Sequence, residues 1–243
     1  MITIVGTNHT FDISEPIEFI IKCNWPDAVL VELDDKRYSF INDKNELEGQ
    51  LFEEKKLEKV SWMYRSIIKH QNRIAKYHQS YVGSDMFTAI KIGRFIGAEI
   101  GLIDTNIKNL MKDTWIEMSI PEKIRYFLST VIDSVSIRRK NKQPSQLLKN
   151  EEKTMVKLRR KYPTIMKKLI DERDAYMAKQ IKNYAKKFHN MVVVVGDAHI
   201  TGIVSLLRNY NVREIRFRDI INKNRFNNIR SEIWNDKGGN NGS

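Results

Sequence analysis

The chain of 243 residues is poor in cysteine, in proline and in long apolar runs. Its one cysteine, Cys23, cannot form an intrachain disulfide, and a chain without disulfides is typical of a reducing compartment. No apolar run approaches the roughly 20 residues that a membrane-spanning helix requires. The first residues carry neither the charged segment nor the cleavage site of a secretory signal. These absences predict a soluble, cytoplasmic protein without a membrane span.

The excess positive charge lies in one stretch of the sequence. The chain holds 42 Lys or Arg and 30 Asp or Glu, and residues 138–187 contain 17 of the basic and 5 of the acidic residues. The rest of the chain is therefore neutral. A basic stretch can bind nucleic acid or anionic lipid, but no nucleic-acid-binding motif accompanies this one. We interpret it as a solvated helical face and do not expect a nucleic-acid partner.

Five short apolar runs, rich in β-branched residues, are typical of buried strands. Segments with helical periodicity separate them, and this alternation predicts an α/β fold with a mostly parallel sheet. The predicted strands are ITIVG (2–6), AVLVEL (28–33), AEIGLID (98–104), MVVVVG (191–196) and VREIRF (212–217).

Long helical stretches interrupt the predicted sheet. We expect one domain over residues 1–234, with helical insertions at about 35–97 and 106–188 and a disordered tail at 235–243. The clearest helix covers residues 165–188, because its apolar side chains recur at helical spacing. The insertions are predicted to form a large helical part around the core.

Polar residues follow four of the predicted strands. Gly6 and His9 follow the first, Glu32 ends the second, and Asp104 ends the third. The fourth is followed by Gly196 and His199, so the GxxH pattern occurs twice. Ligands of open parallel sheets bind beyond the carboxyl ends of the strands, and we expect a shared site there. Each glycine is predicted to allow a sharp turn that holds its histidine at the rim of the crevice.

Each of these residues also has a purely structural interpretation. A histidine after a strand is often a loop or capping residue, and Asp34 and Asp104 can cap the helices that follow them. Arg173 lies beside an apolar stripe of its helix and needs an anionic partner. That partner is either Glu32 or Asp104 of the protein, or an anionic group of a ligand, and Arg37 could play either part.

With these residues assembled, the sequence resembles the TraB/PrgY-type proteins over residues 2 to about 208. That group belongs to a superfamily that includes the TIKI proteases, the erythromycin esterases and the ChaN-like haem-binding proteins. The combination of motifs is specific, although no single motif is. The motifs are GTNH (6–9), VELDDKR (31–37), GSDMFTAIKIGRFIGAEIGLID (83–104), ERDAYMA (172–178) and VVVVGDAHITGI (192–203).

The resemblance implies an α/β fold in which the two GxxH motifs form an active site with Glu32 and an arginine. TIKI-type members are described as metal-dependent peptidases, PrgY-type members as inhibitors of a peptide pheromone. Erythromycin esterases use the corresponding histidine as a general base. The sequence departs from the family pattern after LID, where an arginine and an aspartate are usual and this chain has Thr105 and Asn106.

The function first expected is a metal-dependent, peptidase-like hydrolase. His9, Glu32 and His199 would be the catalytic residues and would bind Zn²⁺, Mn²⁺ or Co²⁺ with open positions for water. The residues expected to bind substrate are Arg37, Asp104, Glu172 and Arg173.

Two alternatives remain open at this point. The first is hydrolysis without a metal, with His9 as general base oriented by Glu32. The second is a non-catalytic protein that binds or sequesters a peptide or small molecule, which the departure at Thr105 and Asn106 favours. A homo-oligomer is compatible with all of them.

Overall fold

The computed structural model of the chain describes residues 1–8, 11–42, 83–136 and 151–238. Its centre is a five-stranded sheet in which every strand pair is parallel. The predicted α/β class is therefore confirmed. The strands are β1 (Ile2–Thr7), β2 (Ala28–Val31), β3 (Glu99–Leu102), β4 (Met191–Gly196) and β5 (Val212–Ile215).

Helices separate these strands along the chain. Residues 163–184 form one continuous helical stretch with a π-helical turn at Lys167–Glu172. The helices are α1 (Ser14–Asn24), α2 (Asp35–Asn42), α3 (Ser84–Phe95), α4 (Ile107–Glu117), α5 (Ile120–Ser136), α6 (Glu151–Lys161), α7 (Pro163–Met166), α8 (Arg173–Tyr184), α9 (Asp197–Leu206), α10 (Phe217–Ile221) and α11 (Lys223–Gly238).

Both faces of the sheet are covered by helices, which explains why the strands are continuous apolar runs. Successive side chains of a strand point to opposite faces, so β4 contributes to two separate cores. Val192 and Val194 pack into the core on the side of α1, α3, α10 and α11. Val193 and Val195 pack on the other side, with α8 and α9. The described chain thus forms three layers, with the sheet in the middle.

The strand order is β3-β2-β4-β1-β5, so the late strand β4 lies between the two earliest ones. Its register pairs Gly6 with Val195 and Thr7 with Gly196. The two strands that carry the GxxH patterns are therefore neighbours, and their carboxyl ends coincide. His199 lies in the described part of the chain, whereas His9 lies outside it.

Several predicted boundaries can be compared with the structure. All five predicted strands are present, and the ends of β2, β3 and β5 are two residues or so shorter than the apolar runs. Helix α11 continues to Gly238, into the segment predicted as a tail. Large parts of both predicted insertions, 43–82 and 137–150, lie outside the described residues.

No helix in the described part of the chain has the length and apolar character needed to cross a membrane.

Candidate functional site

A buried guanidinium, that of Arg173, forms the centre of a charged cluster at the carboxyl edge of the sheet. Its Nε and Nη2 donate to the two carboxylate oxygens of Asp104 at 3.0 and 2.7 Å. Nη2 also forms an ion pair with Glu32, and Nη1 donates to the carbonyl oxygen of Leu169 at 3.2 Å. Of the two kinds of partner that the sequence left open, carboxylates of the protein are present, and both take part.

The helix that carries Arg173 is anchored beneath the sheet. Met177 and Ile181 of α8 are fully buried in the core on that side. The π-helical turn Lys167–Glu172 ends directly before Arg173, and such turns often occur at functional sites because they alter which side chains face inward. The apolar stripe thus fixes the helix, and the residue after the turn reaches the strand ends.

The two carboxylates come from neighbouring strands. Glu32 follows β2, and its second oxygen accepts a hydrogen bond from the backbone N–H of Gly196 at 2.6 Å. Asp104 follows β3 and accepts from the backbone N–H of Thr105 at 2.8 Å. Both are about 5% exposed. Glu32 therefore links the end of β2 to the end of β4, while Arg173 links it to Asp104.

A second arginine closes the cluster on its more exposed side. Arg37 donates from Nη2 to Asp104 at 2.5 Å and from Nε to Asp34 at 2.9 Å. Asp34 also accepts from the backbone N–H groups of Lys36 and Arg37, so it caps α2 as the structural interpretation predicts. The Arg37 side chain is 17% exposed, so it is more accessible to solvent than the Arg173 side chain, which is 9% exposed.

His199 lies in the first turn of α9 and is held at both ring nitrogens. Its Nδ1 is 2.6 Å from Oδ1 of Asp174, and its Nε2 is 3.0 Å from Nη1 of Arg173. Arginine can only donate hydrogen bonds, so Nε2 must accept and carry a lone pair. The ring proton is therefore on Nδ1, where it is donated to Asp174.

The carboxylate of Asp174 fits against a glycine. A Cβ atom at Gly202 would lie only 1.9 Å from Oδ2 of Asp174, far inside van der Waals contact. Gly202 is three residues after His199 on α9, so both are on the face turned toward α8. The absence of a side chain at Gly202 is what allows Asp174 to reach the histidine.

Burial and neighbouring charges shift the pKa values in this cluster. Burial would raise the pKa of Asp104, but the charges and hydrogen bonds of Arg173, with the charge of Arg37, lower it on balance. Burial raises the pKa of Asp174, and the hydrogen bond from His199 offsets only part of that rise. Burial opposes the charge on both arginines, yet the surrounding carboxylates raise their pKa values.

The predicted position of the second histidine needs correction. His199 is 4% exposed and belongs to a helix, so it is buried and is not held at the rim of the crevice outside the core. The predicted reason for the glycines is also wrong, because neither has a positive φ; in the described residues Gly83 and Gly97 do. Gly6 is needed for close packing, since a Cβ there would lie 2.2 Å from Oδ1 of Asp197.

The structure gathers most of the predicted site residues, with two exceptions. Glu172 faces outward and forms an ion pair with Lys168 at 3.2 Å, so it does not join the cluster. His9 lies outside the described residues. The residues brought together are Glu32, Arg37, Asp104, Arg173 and His199.

Two members of the cluster, Asp174 and Gly202, are absent from the sequence prediction. The signal for Asp174 was present in the sequence: it lies three and four residues before Met177 and Ala178, on the apolar stripe. An acid in such a stripe must find a buried partner. Gly202 gives no comparable signal, because its role depends on how α8 and α9 pack.

The described residues include Glu32 and His199 but not His9, the third predicted metal ligand. They contain no group of three or more His, Cys, Asp or Glu side chains suited to hold an ion. Nε2 of His199 and Oε1 of Glu32 are 3.5 Å apart, but the guanidinium of Arg173 contacts both. A metal ion bound to these two atoms would lie against a fixed positive charge.

Comparison with known proteins agrees with the family resemblance that the sequence motifs indicate. The model of the TraB/PrgY/gumN family matches residues 1–216. The chain is also similar to Uncharacterized protein MJ1365 of Methanocaldococcus jannaschii, with 31% identity over 214 residues, which are 85% of this chain and 53% of that protein. It thus spans about half the length of this relative. The chain belongs to the TraB/PrgY/gumN family.

Proposed function

We propose that the chain is a hydrolase of peptide-like or ester-like substrates, with His199 as general base and Arg173 as the group that binds the substrate carbonyl. The observation that carries this proposal is the contact between the two side chains. Nε2 of His199 holds a lone pair and faces a guanidinium at 3.0 Å. Both lie at the carboxyl edge of a parallel sheet, where such folds bind ligands.

The proposed reaction begins with an exchange of hydrogen bonds. A substrate carbonyl oxygen accepts from Nη1 of Arg173 in place of Nε2, which frees the lone pair and places a positive charge at the developing oxyanion. Nε2 takes a proton from water as the water oxygen bonds to the carbonyl carbon. The bond from that carbon to the leaving nitrogen or oxygen then breaks, and the leaving atom receives the proton from Nε2.

The proposed reaction uses no metal ion. The alternative is a metal-dependent reaction with Mn²⁺, Co²⁺ or Zn²⁺ bound by His9, Glu32 and His199. Arg173 already contacts Glu32 and His199, so the cation would have to displace the guanidinium from both. Hydrolysis that EDTA abolishes and one of these metals restores would replace the proposed steps with the metal-dependent form.

A non-catalytic binding protein is the second candidate, and one observation favours it. Glu32, Asp104 and His199 are all buried and already have partners within the protein. Asn106, which stands where the family usually has an acid, caps α4 by accepting from the backbone N–H of Asn109. A protein of this kind would bind a peptide or small anion near Arg37 without hydrolysing it.

The test is a hydrolysis screen of the full chain against peptide libraries and a series of esters, with and without EDTA. We expect activity in the wild type that survives EDTA and falls about 10²–10⁴-fold in His199→Gln, as loss of a general base predicts. Ser205→Ala, an exposed change on the same helix, serves as the matched control and should keep full activity.

Two outcomes would overturn the proposal. A His199→Gln variant that folds and keeps wild-type activity would remove the histidine from the mechanism. A wild-type chain that hydrolyses nothing in the screen, yet binds a library peptide with affinity lost in Arg37→Met, would establish the non-catalytic candidate instead.

A further inference from the structure

Two consecutive residues of α8, Arg173 and Asp174, contact the two ring nitrogens of His199. Arg173 reaches Nε2 and Asp174 reaches Nδ1, because side chains one residue apart on a helix point in different directions. The two contacts have opposite chemistry: one partner can only donate and the other, as a carboxylate, can only accept. A ring placed between them has a single neutral tautomer that satisfies both.

We propose that Asp174 is a positioning residue, which holds His199 in the Nδ1–H tautomer, and that Gly202 is a glycine in order to admit its carboxylate. This inference deepens the proposed function, since a general base needs its lone pair on Nε2. Only the catalytic role of the tautomer rests on the proposed function. The tautomer itself follows from the geometry and is tested without a substrate.

The hold of Arg173 alone is weaker than that of Asp174. Nη1 of Arg173 is shared between Nε2 of His199 and the carbonyl oxygen of Leu169. Both contacts involve an ionised partner, and that of Nδ1 with Asp174, at 2.6 Å, is shorter than that of Nε2 with Arg173, at 3.0 Å. Asp174 therefore supplies the main restraint on the tautomer and orientation of the ring.

Gly202 makes this restraint depend on close packing between α8 and α9. Asp174 is buried, at 4% exposure, so its carboxylate has no open space into which to retreat. A methyl group at position 202, 1.9 Å from Oδ2, forces the carboxylate away from the ring. The substitution Gly202→Ala thus disrupts the contact without changing a charge or the histidine.

The direct test is nitrogen-15 NMR of the full chain labelled at histidine, since protonated and bare ring nitrogens have well-separated signals. His199→Gln identifies the signals of His199. In the wild type at neutral pH we expect Nδ1 protonated and Nε2 bare, without averaging. Asp174→Asn should keep this pattern, because its amide oxygen still accepts from Nδ1.

Asp174→Ala and Gly202→Ala should both lose the single tautomer, and Ser205→Ala should resemble the wild type. If Asp174→Ala fails to fold by circular dichroism, the comparison of Gly202→Ala with Asp174→Asn decides. A wild-type His199 protonated at Nε2, or a folded Asp174→Ala and Gly202→Ala with unchanged ring signals, would overturn the inference. The expected signals together with a failed hydrolysis screen would refute only the proposed function.

Discussion

At the scale of single residues, the buried charges around Arg173 are tolerated because each has an opposite partner. Two guanidinium groups, of Arg37 and Arg173, face the carboxylates of Glu32, Asp34 and Asp104. Removing one partner of a buried ion pair leaves an uncompensated charge, whereas forming the pair gives little net stability. The cluster is therefore far more sensitive to loss of one member than a surface pair would be.

Arg173→Met should destabilise the protein by about 3–5 kcal/mol, since it leaves Glu32 and Asp104 buried with fewer positive partners. Urea unfolding followed by circular dichroism measures this loss. The matched control is Arg159→Met, which removes an arginine from an exposed bidentate pair with Asp171 at 2.6 and 2.8 Å. It should cost no more than about 1 kcal/mol. Equal losses in the two variants would contradict the prediction.

The stability that Asp104 contributes should depend on pH. Its pKa in the folded chain is lowered on balance by the two arginines, whereas an unfolded aspartate has a pKa of about 3.9. Its contribution is therefore fully present above the unfolded value and is lost as pH falls through the lower folded value. The unfolding free energies of wild type and Asp104→Asn should differ most near pH 6 and converge on acidification.

Asp174 has the opposite sign, because its folded pKa is raised. It is present in both proteins of the Asp104 comparison, so its effect largely cancels in the difference. Asp171→Asn, at an exposed surface pair, provides the control and should show a small difference at every pH. A gap between wild type and Asp104→Asn that stays constant down to pH 3 would refute the assignment.

The sequence predicted which residues meet at the site better than it predicted their roles. Glu32, Asp104 and His199 were recognisable because each follows a β-branched run, and such runs end at a common edge. Their hydrogen-bond partners were not recognisable. Side chains one residue apart on a helix do not face each other, but this rule could not show that Asp174 contacts a histidine 25 residues away.

At the scale of elements, β1 and α9 pack closely against each other. Gly6, the glycine of the first GxxH motif, leaves room for side chains of α9, the helix that carries the second GxxH histidine. A Cβ at Gly6 would lie 2.2 Å from Asp197 and 2.5 Å from Ile200. Asp197 in turn accepts from Nη2 of Arg216 at 2.8 Å and from the backbone N–H of Phe217 at 2.7 Å. The start of α9 is thus tied to β1 by contact and to the end of β5 by hydrogen bonds.

Gly6→Ala should therefore destabilise the chain by about 1–3 kcal/mol, the usual cost of forcing an extra methyl group into a packed interior. The urea midpoint measures the loss. The double variant with Asp197→Ala should lose less than the sum of the two single variants, because the added methyl group then meets less of the α9 side chains. Additive losses would show that the glycine is not required by this contact.

The five strands were predictable as elements, but their order was not. MVVVVG and ITIVG can each be identified as a strand because a short continuous run of β-branched residues is typical of a buried strand. That β4 inserts between β1 and β2 depends on contacts of β4 with strands 189 and 163 residues earlier in the chain. The apolar runs themselves do not show which strands will pair. The neighbouring placement of the two GxxH strands is therefore a result of the structure, although the motif repeat suggested it.

At the scale of the whole molecule, several of the positive charges behind the net charge of +12 are buried or paired with carboxylates. Within the described part of the basic stretch, Arg173 is buried, Arg159 pairs with Asp171, and Lys168 pairs with Glu117 at 2.9 Å. Paired and buried cations contribute little to the field that attracts a polyanion. The surface of the described residues 151–187 is thus less basic than their composition suggests.

We expect only weak, non-specific binding of nucleic acid. Fluorescence anisotropy of a labelled 20-mer duplex and a 20-mer single strand should give dissociation constants of about 10⁻⁶ M or weaker at physiological salt, the range of non-specific electrostatic binding. Binding at low salt should show no preference between unrelated sequences, and it should weaken as salt rises because phosphate contacts release counterions. Nanomolar binding to one sequence at physiological salt would instead make the basic stretch a functional surface. In that case a folded Arg173→Met variant should bind the nucleic acid as the wild type does, which would show that the binding does not depend on the Arg173 cluster.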